Sequence, residues 1–255
     1  MNKIIVILSI AFTIGCSENS TSPSGNQSNN KSSEGNGSST GTGGSLARFT
    51  IAKNHLYIAT ELELFTYSLA TANTPQYVSK ITLNTGVETI FSLGEFLYLG
   101  TQNGMFIYDI TNASNPTYAS NYWHVTSCDP VVANESYAFV TLRDGTACRR
   151  GQNRLDVIDV HDKRYPQLQM SLEMEQPIGL GLYSNLLYVC DNGQIKLFDI
   201  SEPTNPSFQE TTVLTGVFDI IINGDILIAV HLEGVSQYAI GSGGSLAFLS
   251  EISKN

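Results

Sequence analysis

Short apolar segments return at a nearly constant interval along the chain. The first segments of five successive units lie at residues 56–60, 97–101, 137–141, 187–191 and 227–231, so they begin 41, 40, 50 and 40 residues apart. A second apolar segment follows each of them, at residues 64–67, 105–110, 155–160, 195–200 and 235–240. A repeat of this length is one small unit that cannot bury its own faces, whereas stacked copies bury them together. The pattern therefore predicts an array of like units.

Turn residues indicate what each unit is. Asn-Gly or Glu-Gly pairs separate the two segments at residues 103–104, 192–193 and 233–234, and such pairs favour tight β-hairpins. A polar loop ending in proline follows the second segment in four of the five units, and no stretch shows a helical apolar stripe. We therefore predict an all-β fold, a β-propeller of about five four-stranded blades over residues 46–255. A pair of β-sandwiches would explain the strands but not the period.

Three stretches carry a family resemblance, at residues 108–116, 155–160 and 198–203. They resemble the LVIVD repeat, which is named for an apolar strand that ends in aspartate. The resemblance covers residues 46–240 and implies a propeller-like fold on bacterial envelope lipoproteins, without a common activity. Asp109, Asp159 and Asp199 end their strands, and we expect them to accept hydrogen bonds from the following turns rather than to act in catalysis.

The first 15 residues have the proportions of a signal peptide. Lys3 is followed by an apolar run over residues 4–14 that is too short to span a bilayer. The run ends in Gly15-Cys16, which resembles the lipobox of bacterial lipoproteins, although Thr13 stands where leucine is usual. The resemblance implies cleavage before Cys16 and acylation of its thiol, including a palmitate chain. An ordinary cleaved signal peptide is the alternative.

Residues 16–45 are predicted to be the lipidated cysteine followed by a disordered linker. Ser, Gly, Asn and Thr fill 24 of the 29 positions from 17 to 45, and no apolar side chain occurs there to offset the entropy of ordering. Such a tether suits a globular head held away from a membrane. We therefore expect a bacterial cell envelope location, in the outer membrane or at the cell surface rather than the inner membrane.

Charge excludes several partners. The chain has 13 basic and 23 acidic residues and a formal net charge of -10, which disfavours nucleic acid and anionic lipid surfaces. We expect membrane contact through the lipid alone, a monomeric head and no cofactor. The four histidines are scattered without metal-ligand spacing, and no nucleophile elbow, phosphate loop or dinucleotide fingerprint occurs.

The cysteines of the head have two predicted roles. Cys128 and Cys148 flank the extra ten residues of the third unit, and in an oxidising compartment they are natural disulfide partners. The resemblance to family lipoproteins points the same way. Cys190 lies within an apolar strand and is expected to be a buried, reduced thiol.

Two groups of residues are candidates for binding. Where the chain enters the innermost strands lie Arg48, Glu88, Asp129, Gly179 and Asp219. The three carboxylates of this set could hold a calcium ion at the channel mouth, although solvated loop ends are the simpler explanation. The second group, in the long loop of the third unit, is Arg143, Arg149, Arg150 and Arg154. Guanidinium groups suit a carboxylate or sulfate on a partner, whereas a solvated loop that offsets acidic surface is the alternative.

An aromatic cluster precedes the third unit. Tyr118, Tyr122 and Trp123 are close in sequence, and packing at a sheet edge explains most such clusters, with stacking against a sugar or partner as the alternative. The sequence as a whole favours a lipid-anchored binding or scaffold module that recognises a protein or glycan through loops on one propeller face. An envelope enzyme acting on glycans or esters, with carboxylates at the channel mouth, is the alternative.

Overall fold

Five four-stranded antiparallel sheets make up the fold in a computed structural model that describes residues 44–71, 74–123, 130–144 and 152–254. The sheets form a ring, so the prediction of a five-bladed β-propeller is confirmed. We number them blades 1 to 5 in chain order.

The strands follow the repeat closely. Blade 1 contains β1 (Phe49–Ala52), β2 (His55–Ala59), β3 (Glu63–Ser68) and β4 (Gln76–Thr82). Blade 2 contains β5 (Val87–Leu93), β6 (Phe96–Thr101), β7 (Gly104–Asp109) and β8 (Thr117–Trp123). Blade 3 contains β9 (Val131–Ala133), β10 (Tyr137–Leu142), β11 (Arg154–Asp159) and β12 (Gln167–Glu173). Blade 4 contains β13 (Pro177–Tyr183), β14 (Leu186–Asp191), β15 (Gln194–Asp199) and β16 (Ser207–Val213). Blade 5 contains β17 (Val217–Asn223), β18 (Ile226–His231), β19 (Gly234–Ile240) and β20 (Leu246–Ser253).

Each blade is built from consecutive strands, with the first strand innermost. The pairing order in every sheet follows the chain, so no strand from one blade completes another. The first strands of successive blades pack against one another, from β1 on β5 through to β13 on β17. The fourth strands are the outer edges, as β16 shows by exposing six of its seven residues.

The core is divided among the interfaces between blades. Four apolar clusters lie between blades 1 and 2, 2 and 3, 3 and 4, and 4 and 5. The first joins Tyr57 and Leu64 to Ile90 and Tyr108, and all four side chains are at least nine-tenths buried. A tyrosine hydroxyl adds a hydrogen bond between these two blades: Tyr57 donates to the carbonyl of Ala113 in blade 2 at 2.8 Å. Stacking of blades thus buries both faces of sheets that no single blade could bury.

Local chemistry explains the turns. Asn192 and Gly193 both have positive φ, 51° and 72°, as the predicted two-residue hairpin requires. The strand-ending aspartates accept hydrogen bonds from the amide two residues on, as predicted: from Thr111 to Asp109 at 2.6 Å, from His161 to Asp159 at 2.9 Å and from Ser201 to Asp199 at 2.8 Å. The amide hydrogen bond from His161 lowers the pKa of the Asp159 carboxyl, and hydrogen bonds from the Ser201 side chain and amide lower the pKa of the Asp199 carboxyl.

Helical structure is slight in the described part of the chain. It consists of one 3-10 turn at Ser242–Gly244, in the place of the proline loop of the other blades. Accordingly, the described residues include no helix of the length and apolarity needed to cross a membrane.

Candidate functional site

A pocket of about 230 Å³ opens at the end of the propeller where the innermost strands begin. Four blades or their connecting segments contribute to it, and we call it the mouth pocket. Its lining residues are Leu46, Arg48, Glu88, Thr89, Pro130, Arg143, Pro177 and Ile178. The structure therefore brings together three residues that the sequence singled out, namely Arg48, Glu88 and Arg143.

Two strand ends and one strand irregularity place the charged groups of the mouth pocket. Arg48 directly precedes β1, and Arg143 directly follows β10. Glu88 is the second residue of β5, where the pairing with β6 jumps from Val87 to Thr89. A bulge of this kind leaves one residue out of the ladder and re-aims its side chain. The Glu88 carboxylate accepts a hydrogen bond from the Gln102 amide at 3.3 Å.

The charge of the mouth pocket differs from that of the chain. Two guanidinium groups and one carboxylate line it, whereas the chain carries a formal net charge of -10. Guanidinium groups pair with carboxylate, sulfate or phosphate through parallel hydrogen bonds. The arrangement can therefore hold a small acidic group between blades 1 and 3.

Asp219 does not line the mouth pocket, and its side chain is turned to the segment that leads into blade 1. It is 92% buried, and Ser45 Oγ donates to its Oδ1 at 3.1 Å. The amides of Ile220, Ser45 and Leu46 also donate to this carboxylate. Burial raises the pKa of Asp219 even though these hydrogen bonds oppose the shift. The surroundings of this carboxylate are those of a structural anchor.

The segment at residues 44–47, which we call the hub segment, contacts several blades near their first, innermost strands. Ser45 Oγ accepts a hydrogen bond from the Leu180 amide at 2.7 Å in blade 4, while it donates to Asp219 in blade 5. The Ala47 carbonyl accepts from the Ile90 amide at 2.8 Å in blade 2. Gly44 and Ser45 are both buried, although the sequence places them in the linker. This hub segment links three blades by hydrogen bonds.

The remaining candidates either do not line the mouth pocket or fall outside the described residues. Arg154 begins strand β11 instead of lying in the loop, and its Nε lies 2.8 Å from Oδ1 of the buried Asp156. The described residues do not include the predicted lipidation site, the predicted disulfide cysteines or three of the candidate binding residues. These are, in that order, Cys16, then Cys128 and Cys148, then Asp129, Arg149 and Arg150. Cys190 is a buried free thiol, as predicted, and burial raises its pKa well above the usual value.

The calcium hypothesis depends on three carboxylates that the described structure does not bring together. Glu88 lines the mouth pocket, Asp219 is held by the hub segment, and Asp129 is outside the described residues. Within the described ranges, no group of three or more His, Cys, Asp or Glu side chains could hold a metal ion.

Residues that the sequence did not single out complete the pocket. Thr89 follows the bulge in β5, and Pro130 and Pro177 stand at the starts of the third and fourth blades. Their position within two residues of the start of an innermost strand is the signal that could have identified them.

Comparison with known proteins supports the repeat. The family profile described as LVIVD repeat matches residues 87–123 and 179–213, which correspond to blade 2 and to nearly all of blade 4. The chain therefore contains LVIVD repeats within a five-bladed β-propeller. No curated protein matches the sequence.

Solved structures resemble the fold at low sequence identity. A protein from Lactobacillus plantarum superposes with a TM-score of 0.64 at 10% identity, covering 78% of this chain and 67% of that one. The periplasmic gluconolactonase of Pseudomonas aeruginosa gives 0.61 at 13% identity, with the same coverage of 78% and 67%. A protein of unknown function from Desulfotomaculum acetoxidans gives 0.63 at 10% identity, covering 81% and 69%. At these identities the likeness concerns the fold.

Proposed function

We propose that this chain is a binding module of the bacterial cell envelope that recognises an acidic group on a protein or glycan partner. The mouth pocket is the proposed contact, at one end of the propeller. The observation that carries the proposal is the convergence of Arg48 and Arg143, from different blades, in one pocket of a strongly acidic chain.

Electrostatic interactions with an acidic ligand differ between long range and short range. An overall charge of -10 repels acidic molecules at a distance, so retention of one requires specific contacts at short range. Paired guanidinium groups supply such contacts with a carboxylate or sulfate. Glu88 in the same pocket favours a ligand that also carries a hydrogen-bond donor. We propose that Arg149 and Arg150, a few positions after Arg143, add to the same surface.

The proposed anchor is the acylated Cys16. A lipidated cysteine followed by a Ser, Gly and Asn linker would hold the propeller outside the membrane, with the acyl chains supplying the attachment. Cells fed labelled palmitate should incorporate it into the wild-type protein and not into Cys16→Ser. Equal incorporation by the two would contradict the anchor.

An enzyme acting on envelope glycans or esters is the alternative function. Glu88 is the carboxylate that such chemistry would use, and among the described residues no second carboxylate lines the mouth pocket. Most glycosidases use a pair of carboxylates, so the geometry gives binding more support than hydrolysis. Loss of turnover of an envelope glycan or ester in Glu88→Gln, with binding retained, would favour the enzyme.

Titration with acidic and neutral probes tests the binding function. The full-length protein should bind sulfated or carboxylated oligosaccharides, or polyglutamate, and should not bind dextran. Because each bidentate arginine contact contributes more than 1 kcal/mol, the Arg48→Gln/Arg143→Gln variant should bind about tenfold more weakly or worse. Isothermal titration calorimetry at moderate salt measures both proteins.

A matched control is available at the opposite end of blade 3. Arg164 lies in the loop that follows β11, its side chain is 73% exposed, and it pairs with Asp162 at 2.9 Å. Arg164→Gln should bind the acidic probes like the wild type. An equal loss in Arg164→Gln and in the double variant would show that overall charge, not the mouth pocket, controls binding.

A further inference from the structure

A second cavity lies at the outer side of the interface between blades 1 and 2 and shares no lining residue with the mouth pocket. It is a cleft of about 570 Å³, within the range of small-molecule sites, and we call it the aromatic cleft. Its lining includes Thr85, Phe106, Tyr108, Tyr118, Asn121 and Trp123. No charged side chain is among the described residues that line it.

One aromatic pair of the cleft recurs at the same position in other blades. Tyr108 faces Tyr118 across β7 and β8, with ring centroids 5.9 Å apart in an edge-to-face arrangement. The same register position holds an aromatic pair in three other blades: Tyr67 and Tyr77, Phe198 and Phe208, and Tyr238 and Phe248. The Tyr108–Tyr118 pair therefore has a structural explanation and does not by itself indicate a ligand.

Trp123 has no such explanation. Its register position at the end of the fourth strand is occupied in the other blades by Thr82, Glu173, Val213 and Ser253. The indole packs edge-to-face on Phe106, with centroids 5.4 Å apart, yet remains 62% exposed. Blade 2 thus presents a large exposed aromatic ring that the fold does not require.

Charged networks fill the equivalent place in two other blades. In blade 3 the position of Phe106 is taken by the buried Asp156, which contacts Arg154 and accepts a hydrogen bond from Ser171 at 2.6 Å. In blade 4 it is taken by Lys196, which pairs with Asp191 at 2.7 Å and with Glu175 at 3.1 Å. In blade 2 the rings of Phe106 and Trp123 and the amide of Asn121 stand in place of these charged groups. The cleft is therefore open, and the described residues that line it carry no charge.

Two polar atoms of the cleft residues have no hydrogen-bond partner. Asn121 Nδ2 and Thr85 Oγ1 are both buried and unpaired, although the Asn121 Oδ1 accepts from the Tyr118 hydroxyl. Thr85 is 91% buried. A buried donor without a partner costs about 1 to 3 kcal/mol, so most such groups in proteins are paired. A ligand hydroxyl in the cleft would supply the missing partner.

We propose that the aromatic cleft binds a neutral sugar of one or two rings. The apolar C–H face of a pyranose packs on aromatic rings such as those of Trp123 and Tyr118, while its hydroxyls exchange hydrogen bonds with amide and hydroxyl groups. The absence of lining charge and the acidity of the chain disfavour phosphorylated or acidic ligands, nucleotides included. This site is separate from the mouth pocket and does not depend on the function proposed for it.

Fluorescence of one residue tests the proposal directly, because Trp123 is the single tryptophan of the chain. The full-length protein, in a detergent without a sugar headgroup, is titrated with glucose, galactose, N-acetylglucosamine, cellobiose, lactose and chitobiose. Concentrations up to about 50 mM saturate even a millimolar site. At least one sugar should change the emission in a saturable way, and by calorimetry Trp123→Ala and Asn121→Ala should each bind that sugar at least tenfold more weakly.

Matched variants separate this site from general effects. Phe248→Ala removes the counterpart of Tyr118 in blade 5, which is 60% exposed, and should bind the sugar like the wild type. Arg48→Gln/Arg143→Gln should also leave sugar binding unchanged, even if the mouth pocket proposal fails. The proposal is overturned if no sugar of the panel alters the emission, if Trp123→Ala binds as well as the wild type, or if glucuronate or glucose 6-phosphate binds more tightly than glucose.

Discussion

Asp219 and Ser45 are 174 positions apart in the chain, yet their side chains share a hydrogen bond at the hub. Adding a Cβ atom at Gly44 would place it 2.1 Å from Oδ2 of Asp219, so the hub segment and this carboxylate fit closely. The same carboxylate accepts hydrogen bonds from the backbone amide of Ile220 in its own strand and from those of Ser45 and Leu46 in the hub segment. Asp219 therefore connects blade 5 to the segment that leads into blade 1.

Replacing Asp219 should destabilise the propeller. Asp219→Ala leaves the amides of Ser45 and Leu46 without their acceptor, and we expect the free energy of unfolding to fall by about 2 to 3 kcal/mol. Urea denaturation followed by circular dichroism measures the change. Asp225→Ala, which removes an exposed carboxylate bonded to the Tyr183 hydroxyl, should change stability by less than about 1 kcal/mol. Equal effects of the two variants would contradict the structural role of Asp219.

Aspartates show which residue roles can be predicted from sequence. Asp109, Asp159 and Asp199 bond to amides two positions away, so the local pattern of strand and turn was sufficient to predict them. The burial of Asp219 depends on a segment at the other end of the head, and no local pattern contains that information. The position of Glu88 at the channel mouth was predicted, because it stands where the chain enters an innermost strand. Arg143 was assigned to the loop of the third unit, and its place in the same pocket was not predicted.

At the scale of strands, the packing of β13 on β17 depends on two glycines. A Cβ atom at Gly179 would lie 2.6 Å from the Phe218 carbonyl oxygen and 2.7 Å from the Asp219 Cα. A Cβ atom at Gly181 would lie 2.5 Å from Cγ2 of Ile220. The two strands therefore approach more closely than any residue with a side chain would allow.

A methyl group at Gly179 should force blades 4 and 5 apart. We expect Gly179→Ala to lower the free energy of unfolding by about 1 to 3 kcal/mol, because its contact atoms are backbone atoms that cannot rotate away. Gly86→Ala is the control, since the nearest atoms there are the Gln102 side chain at 3.5 Å, an ordinary contact. Thermal unfolding of both variants decides the point, and a Gly179→Ala protein as stable as Gly86→Ala would show that the interface is not tightly packed.

Strands differed in how well the sequence predicted them. The second and third strands of every blade were predicted within one or two residues, because they are apolar and, in four of the five blades, flank a short turn. Strands β6, β10 and β14 each bury five of their six residues. The fourth strands carry weaker signals, and β16 shows why: as an outer edge it exposes nearly all of its side chains, so no buried face constrains them. Their existence was inferred from the length of the repeat, not from their own composition.

At the scale of the whole molecule, repetition builds the scaffold and departures from it mark the candidate sites. The mouth pocket takes different residues from four blades or their connecting segments, and the aromatic cleft depends on positions where blade 2 differs from the others. The sequence drew attention to Trp123 and Tyr118 as a cluster. It could not predict the cleft, because the opposite wall comes from the end of β4 and from the segment after it, which includes Thr85. The register positions at which blade 2 differs from the other blades contain that information.

The central claim is that the propeller binds its partner through the end that bears the mouth pocket. A photo-cross-linking residue is placed in the intact protein at Asp144, beside Arg143, or at Asn205, in the loop between β15 and β16 at the opposite end of the blades. Both positions are exposed. Irradiation of living cells should yield discrete cross-linked products from the Asp144 position alone, and these should decrease in the Arg48→Gln/Arg143→Gln background. Products from Asn205 alone, or equally from both positions, would contradict the claim.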